Sequence, residues 1–193
     1  MVRGTRVENK VQVRARLRSL RRAMSLSEVV LRSQLIGERF LNSPMIGDQG
    51  TFGLYAAIEN EVRTEGIFQE LRKFQKRVGY PLVTPKGIKF MEVQDLSEMK
   101  VGRWGILEPR EGGRVFSLDD IELVAIPGIG FDEEGYRVGY GKGYYDKALK
   151  NFKGIKVGLA YEQQILKTIP READDICCDW ICTEQRLIQC ESA

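Results

Sequence analysis

The chain has 193 residues, 42% of them hydrophobic and 30% charged, which suits a single globular domain, 1–193, with a full core and no need of metal or disulfide staples. No segment approaches the ~20 apolar residues of a membrane span, and the first residues lack the apolar stretch of a secretory signal, so a membrane partner is not expected and the cytoplasm is. With no histidine in the sequence, a general acid or base must be a carboxylate, Lys, Tyr, Cys or the substrate itself, which disfavours Ser-His-Asp and Cys-His hydrolysis.

The net charge is +3, unevenly spread: Arg and Lys crowd residues 3 to 22, with Glu8 the only acid among them. Three readings of that stretch are open, namely a nucleic-acid face, a mitochondrial presequence and a solvated basic helix. From Lys10 to about Ala23 the pattern is helical, with Val13, Leu17, Leu20 and Met24 on one apolar stripe. A stripe that regular belongs to a helix docked on a core, and no aromatic platform lies beside its basic residues, so a nucleic-acid partner is not expected. Ser25 or Ser27 is the expected N-cap of a second helix through Val29, Val30, Leu31, Leu35, Ile36 and Phe40, which Asn42-Ser43-Pro44 ends.

Thr51 to Ala57 reads as a strand, followed by a polar loop and a helix from about Glu65 to Arg77 with Ile67, Phe68, Leu71 and Phe74 inward. Val78 to Val83 is the next strand and Lys89 to Val93 a short one. Pro109 marks a turn, with Trp104 and Ile106 as packing residues and Glu108 kept as a candidate acid. The apolar run Leu123–Ile126 is a strand that stops at Pro127-Gly128. A helix from about Tyr144 to Lys150, a strand Ile155–Ala160 with Tyr161–Ile165 as its exit, and a last strand Trp180–Thr183 complete the set. Strand–helix–strand order predicts a three-layer α/β domain whose largely parallel, Rossmann-like sheet is flanked by helices. The four cysteines, Cys177, Cys178, Cys182 and Cys190, form no C-x-x-C pair and are expected to pack in a reducing cytosol.

The densest chemistry lies between 126 and 146, IPGIGFDEEGYRVGYGKGYYD. Gly135, Gly139, Gly141 and Gly143 let the backbone approach a ligand, and converging N–H groups with Arg137 and Lys142 among them suit an anion. A helix opening at Gly143 or Tyr144 would add its N-terminus, and Asp146 in its first turn is placed to hold Mg²⁺ bridged to phosphates. The spacing is neither a Walker A loop nor the dinucleotide fingerprint. An irregular surface loop is the bland alternative, and Arg137 could simply pair with Glu133 or Glu134.

The string PG-x-x-FD-x-x-GYR-x-GYGKGYYD resembles the signature of the 5-formyltetrahydrofolate cyclo-ligases, also called methenyltetrahydrofolate synthetases. KVQVR at 10–14, LYAAIENEVRT at 54–64, WGILEP at 104–109 and the stretch 170–184 resemble further elements of that family, in order. The resemblance implies conversion of 5-formyltetrahydrofolate and MgATP to 5,10-methenyltetrahydrofolate, ADP and phosphate. It implies ATP contacts from Lys10, Arg14, Arg137, Val138, Gly139, Tyr140, Gly141, Lys142, Gly143, Tyr144 and Tyr145, with Lys142 and Arg137 stabilising the transferred phosphoryl group. It places the folate against Ala56, Glu61 and the run Tyr140, Gly141, Lys142, Gly143, Tyr144, and Mg²⁺ on Asp146 and Asp175. A carboxylate at Glu61 suits the adjacent N–H donors of a pterin. Asp174 stands where histidine is common, which leaves room for a relative that binds nucleotide or folate without closing the ring. The partners implied are small molecules, and the assembly a monomer or a dimer.

Overall fold

The computed structural model describes residues 9–102 and 105–190. Helix α1 (Lys10–Arg22) starts at Asn9, whose side chain accepts from the N–H groups of Val11 and Gln12 while Gln12 reaches back to the Asn9 N–H. Helix α2 (Leu26–Leu41) starts at Ser25 with the same reciprocal arrangement to Glu28. Each box satisfies N–H groups that a helix leaves orphaned.

Strand β1 (Thr51–Gly53) is followed by α3 (Glu65–Lys73), β2 (Arg77–Thr84), β3 (Gly87–Glu92), and the pair β4 (Met99–Val101) and β5 (Leu107–Pro109). Then come β6 (Leu123–Ile126), β7 (Gly130–Asp132), β8 (Arg137–Val138), α4 (Tyr144–Ala148), β9 (Ile155–Leu159), β10 (Ile165–Leu166), β11 (Trp180–Cys182) and β12 (Leu187–Gln189). A seven-stranded sheet runs in the order β12-β11-β9-β6-β1-β2-β3. Its five inner strands are parallel, and β3 and β12 are antiparallel edges. This is the expected α/β architecture. Strand β6 is buried at all four positions, as a strand covered on both faces must be.

The strand order reverses between β1 and β6: the chain moves outward from β1 to β2, and from β6 to β9 and β11 on the other side. The crevice beyond the carboxyl ends of two such strands is where open α/β sheets take ligands. Here it is walled by the segment after β1, residues 54 to 64, and by Pro127-Gly128 after β6. A second sheet, β10-β7-β8, stands beside that crevice.

Several expectations are corrected. On α1, Val13, Leu17 and Met24 are buried but Leu20 is 44% exposed, and Arg21 is buried in its stead at 1%. On α2, Val29, Ile36 and Phe40 face the core while Val30, Leu31 and Leu35 face out. Strand β1 ends at Gly53 rather than Ala57, because the Thr64 hydroxyl takes the Tyr55 carbonyl and the Tyr55 hydroxyl donates to Val62, folding the chain into a loop. Phe74 is exposed: α3 stops at Lys73, and the left-handed Gln75 (φ 57°) turns the chain away. Pro109 ends a strand paired to Met99 instead of marking a turn. Residues 131 to 143 are not one irregular loop, since β7 and β8 pair within them. Trp104 lies outside the described residues. Cys178, Cys182 and Cys190 are buried within hydrophobic clusters, the packing role expected of them.

Candidate active site

The β7–β8 hairpin turns at Gly135, where φ is +93° and an added Cβ would lie 2.3 Å from the Cys178 carbonyl oxygen. Only glycine fits there. The Gly135 carbonyl accepts from the Cys178 N–H at 2.9 Å, which ties the hairpin to the segment carrying Asp175. Arg137, the first residue of β8, is thereby held at 7% exposure. Its Nη2 lies 3.0 Å from Asp146 Oδ1, and its Nη1 is buried with no hydrogen-bond partner. The alternative pairing with Glu133 or Glu134 is not made: those acids take Arg186 and Arg171. Val138 is buried, with its side chain packed among Val13, Leu17, Ile129 and Ile169. Its carbonyl accepts from the Ile129 N–H at 2.8 Å.

Beyond β8 the chain runs through Gly139, Tyr140, Gly141, Lys142 and Gly143 into α4. Gly141 (φ +91°) and Gly143 (φ +63°) are left-handed, and Lys142 is exposed between them. Gly143 caps α4 with no side-chain hydrogen bond. A helix of five residues has few aligned peptides, so its end adds less to anion binding than the loop amides and the cations do. Asp146 sits in its first turn, and its Oδ1 also accepts from the Ile176 N–H at 3.3 Å. Asp146 and Asp175 therefore lie on neighbouring segments.

Helix α1 lies across the same loop. Arg14 Nε donates to the Gly139 carbonyl at 2.7 Å, and Lys10 Nζ lies 2.6 Å from Asp175 Oδ2. The sequence reading placed Lys10 and Arg14 on one helix face, and they are. That face continues through Leu17 to Arg21 at i, i+4, i+7 and i+11, so the three cations Lys10, Arg14 and Arg21 flank the apolar residues Val13 and Leu17. Other basic residues of α1 turn to the loop after β1, with Arg18 and Arg22 each 2.7 Å from Glu59 Oε1.

The second wall is that loop. Glu61 is 5% exposed; its Oε2 accepts from the Ile58 N–H at 3.0 Å, while Oε1 is buried without a hydrogen bond, 3.8 Å from Arg21 Nη1. Burial pushes the carboxyl pKa up to about 7, opposed by the Arg21 charge and by the hydrogen bond from the Ile58 N–H. Ala56 lies in the same loop, half-buried against the main core cluster. Tyr140 is more open, its ring under Arg18 and Arg21 at 5.5 and 5.8 Å and its hydroxyl bonded to Arg21 Nη2. Tyr144 is half-buried. Tyr145 packs partly into the core beneath the site; its buried hydroxyl has no partner, and burial followed by the Glu61 charge raises its pKa.

Three orphaned polar atoms, Glu61 Oε1, Tyr145 Oη and Arg137 Nη1, thus belong to three segments that converge on this crevice. Buried groups without partners are costly, and a ligand supplying the missing partners removes that cost. Arg21 is the site residue that the sequence reading missed. Asp174, by contrast, is an exposed acid 2.8 Å from Lys150. Glu108 is buried in the β4–β5 hairpin, against Gly102.

Residues 6–184 match the model of the 5-formyltetrahydrofolate cyclo-ligase family. A 5-formyltetrahydrofolate cyclo-ligase of Haemophilus influenzae is 27% identical over 88% of this chain and 94% of its own. Among solved structures, the NMR structure of Aquifex aeolicus 5,10-methenyltetrahydrofolate synthetase matches with a TM-score of 0.86 and 34% identity, covering 95% of this chain and 94% of that one. A 5,10-methenyltetrahydrofolate synthetase from Mycoplasma pneumoniae matches with a TM-score of 0.76 and 26% identity, covering 92% of this chain and 99% of that one. With a family match over residues 6–184 and a fold shared with solved relatives, this chain belongs to the 5-formyltetrahydrofolate cyclo-ligase family of ATP-dependent ligases.

Proposed function

We propose that the protein closes the ring of 5-formyltetrahydrofolate to give 5,10-methenyltetrahydrofolate, with ATP converted to ADP and phosphate. The observation that carries this reading is the meeting of two unlike walls at the β1/β6 crevice. One is a glycine loop ringed by Arg14, Arg137, Lys10 and Lys142, suited to a triphosphate. The other is a buried carboxylate, Glu61, with an unpartnered oxygen suited to the adjacent N–H donors of a pterin.

The formamide oxygen is a poor leaving group. In the reaction it attacks the γ-phosphorus and ADP departs, leaving an iminium phosphate on the folate 5-nitrogen. The folate 10-nitrogen then adds to the formyl carbon and loses its proton, and the C–O bond breaks with release of phosphate. The protein needs no nucleophile of its own. Its tasks are alignment of the two substrates and stabilisation of charge on the moving phosphoryl group. Arg137 and Lys142 do the latter, and the loop amides add oriented dipoles. Glu61, with Ala56 in the same loop, orients the pterin, and Tyr140 and Tyr144 offer flat surfaces at the mouth.

Among the described residues no three or more His, Cys, Asp or Glu side chains cluster to cage a metal ion. Two nearby carboxylates suit Mg²⁺, which binds through one or two acids and keeps phosphates and waters as its other ligands. Asp146 and Asp175 would hold it, and it would neutralise the β- and γ-phosphate oxygens. Each carboxylate meanwhile pairs with a cation, Arg137 or Lys10, which can pass to phosphate when the metal takes the acid.

No helix among the described residues is long and apolar enough to cross a membrane. The test is growth of the methenyl chromophore on mixing the protein with 5-formyltetrahydrofolate, ATP and Mg²⁺. Absorbance that rises only with all three present is expected; binding of both substrates without product would leave a non-catalytic relative.

A further inference from the structure

Arg21 is buried to 1% exposure on a helix whose other arginines face solvent or the rim. A guanidinium taken that far out of water must be repaid by hydrogen bonds. Its Nε donates to the Glu59 carbonyl at 2.9 Å and Nη1 to the Gly128 carbonyl at 3.1 Å, while Nη2 bonds the Tyr140 hydroxyl. These partners lie on the loop after β1, the loop after β6 and the glycine loop, the three segments that form the crevice. Asn60 Nδ2 closes the arrangement by donating to the Arg21 carbonyl at 3.2 Å. Resting on the cyclo-ligase reading, we infer that Arg21 is a positioning residue that clamps the Glu61 wall to the phosphate loop and sets a cation 3.8 Å from Glu61 Oε1 that favours its carboxylate form for the pterin.

The surroundings of Glu61 support the second half of that role. Facing it are Arg21 from α1, Tyr140 from the glycine loop, Tyr145 from α4, Tyr55 from the strand end and Glu59 from its own loop. Burial and Glu59 favour the protonated acid, and the three phenols carry no charge near neutral pH. Among these groups Arg21 is the cation, and its charge opposes burial more than any hydrogen bond does. Lysine cannot replace the clamp, because one ammonium does not present the rigid planar fork that spans three acceptors.

The test uses ligand-free protein and turnover together. Side-chain ¹³C NMR follows the Glu61 titration in the wild type, Arg21→Gln and Arg21→Lys, and steady-state kinetics give kcat and the KM for each substrate. In Arg21→Gln the Glu61 midpoint should rise by about one pH unit, and the folate KM at pH 7 by about fivefold, as the ionised fraction falls. Arg21→Lys should hold the midpoint and most of the folate KM but lose kcat by about tenfold, because its point charge cannot fix the two loops. An unchanged midpoint in Arg21→Gln, or equal kinetics in both variants with only a lower melting temperature, overturns the inference. A shifted midpoint in a protein whose wild type makes no methenyl product supports the charge coupling and overturns the functional reading instead.

Discussion

The two walls of the crevice handle charge in opposite ways. On the glycine-loop wall every described acid has a cation against it: Asp146 meets Arg137 and Asp175 meets Lys10. On the wall after β1, Glu61 is buried, its ionised form is disfavoured, and one of its oxygens has no hydrogen bond. In the proposed reaction the first wall would exchange partners, its acids for metal and its cations for phosphate. The second is poised to gain partners it lacks. The difference fits two substrates of unlike chemistry, one polyanionic and partly hydrated, the other flat and rich in N–H donors.

The sharpest way to break this comparison is at the glycine-loop wall. Arg137→Met should lower kcat by on the order of a thousandfold, with a smaller effect on either KM, because the lost charge acts on the phosphoryl group in transit. Stopped-flow formation of product at saturating substrates reads this directly. Lys142→Ala should fold as the wild type does, since the side chain is exposed, and lose activity of similar order.

Asp146→Ala should be inactive for a different reason and also less stable. It leaves the Arg137 guanidinium buried without its acid, at a cost of about 1–3 kcal/mol. Denaturant melts separate it from Lys142→Ala, and equal stability would mean that the Arg137–Asp146 pair contributes nothing to the fold.

Glu61→Gln should raise the folate KM by about 10- to 100-fold while leaving the ATP KM within about threefold, and it should gain stability as pH rises. The sign follows from the raised pKa. The folded state holds the Glu61 proton up to about 7 whereas an ordinary carboxyl releases it near 4.5, so the stabilisation is fully present below about 4.5 and lost as pH rises through about 7. Glutamine removes that loss, so the variant should melt above the wild type at pH 8 and level with it at pH 4. A constant difference across that range would mean that the Glu61 carboxyl titrates normally.

The smallest effect should come from Asp174→His. Asp174 pairs with Lys150 at the exposed surface, so turnover should stay within twofold and stability within about 0.5 kcal/mol. A large loss would tie the position to the site.

Much of this was legible in the sequence, and the exceptions have physical causes. Leu123–Ile126 read as a strand because both faces of a central parallel strand are apolar. Lys10 and Arg14 read as one face because helical periodicity fixes it. Strands β7 and β8 were not legible: they are short and carry glycine and charge, and they are held by the turn at Gly135 and by pairing with β10. Arg21 was hidden because Leu20 beside it fits the apolar stripe, and an arginine is assumed to face water. The signal that finds it is the continuation of the Lys10–Arg14 face by a further seven residues. Glu61 was legible only through family resemblance, since nothing in its sequence neighbourhood reveals that the loop buries it.

The central claim is spatial: nucleotide phosphates rest on Gly139 through Asp146 while the pterin lies against Glu61, one wall apart. A structure of the protein with ADP, Mg²⁺ and 5-formyltetrahydrofolate tests it most directly. The account predicts phosphate oxygens within hydrogen-bond distance of the Gly139–Gly143 amides and Arg137, and a pterin N–H on Glu61 Oε1. Nucleotide bound elsewhere on the molecule, or a folate that leaves Glu61 Oε1 without a donor, would contradict it.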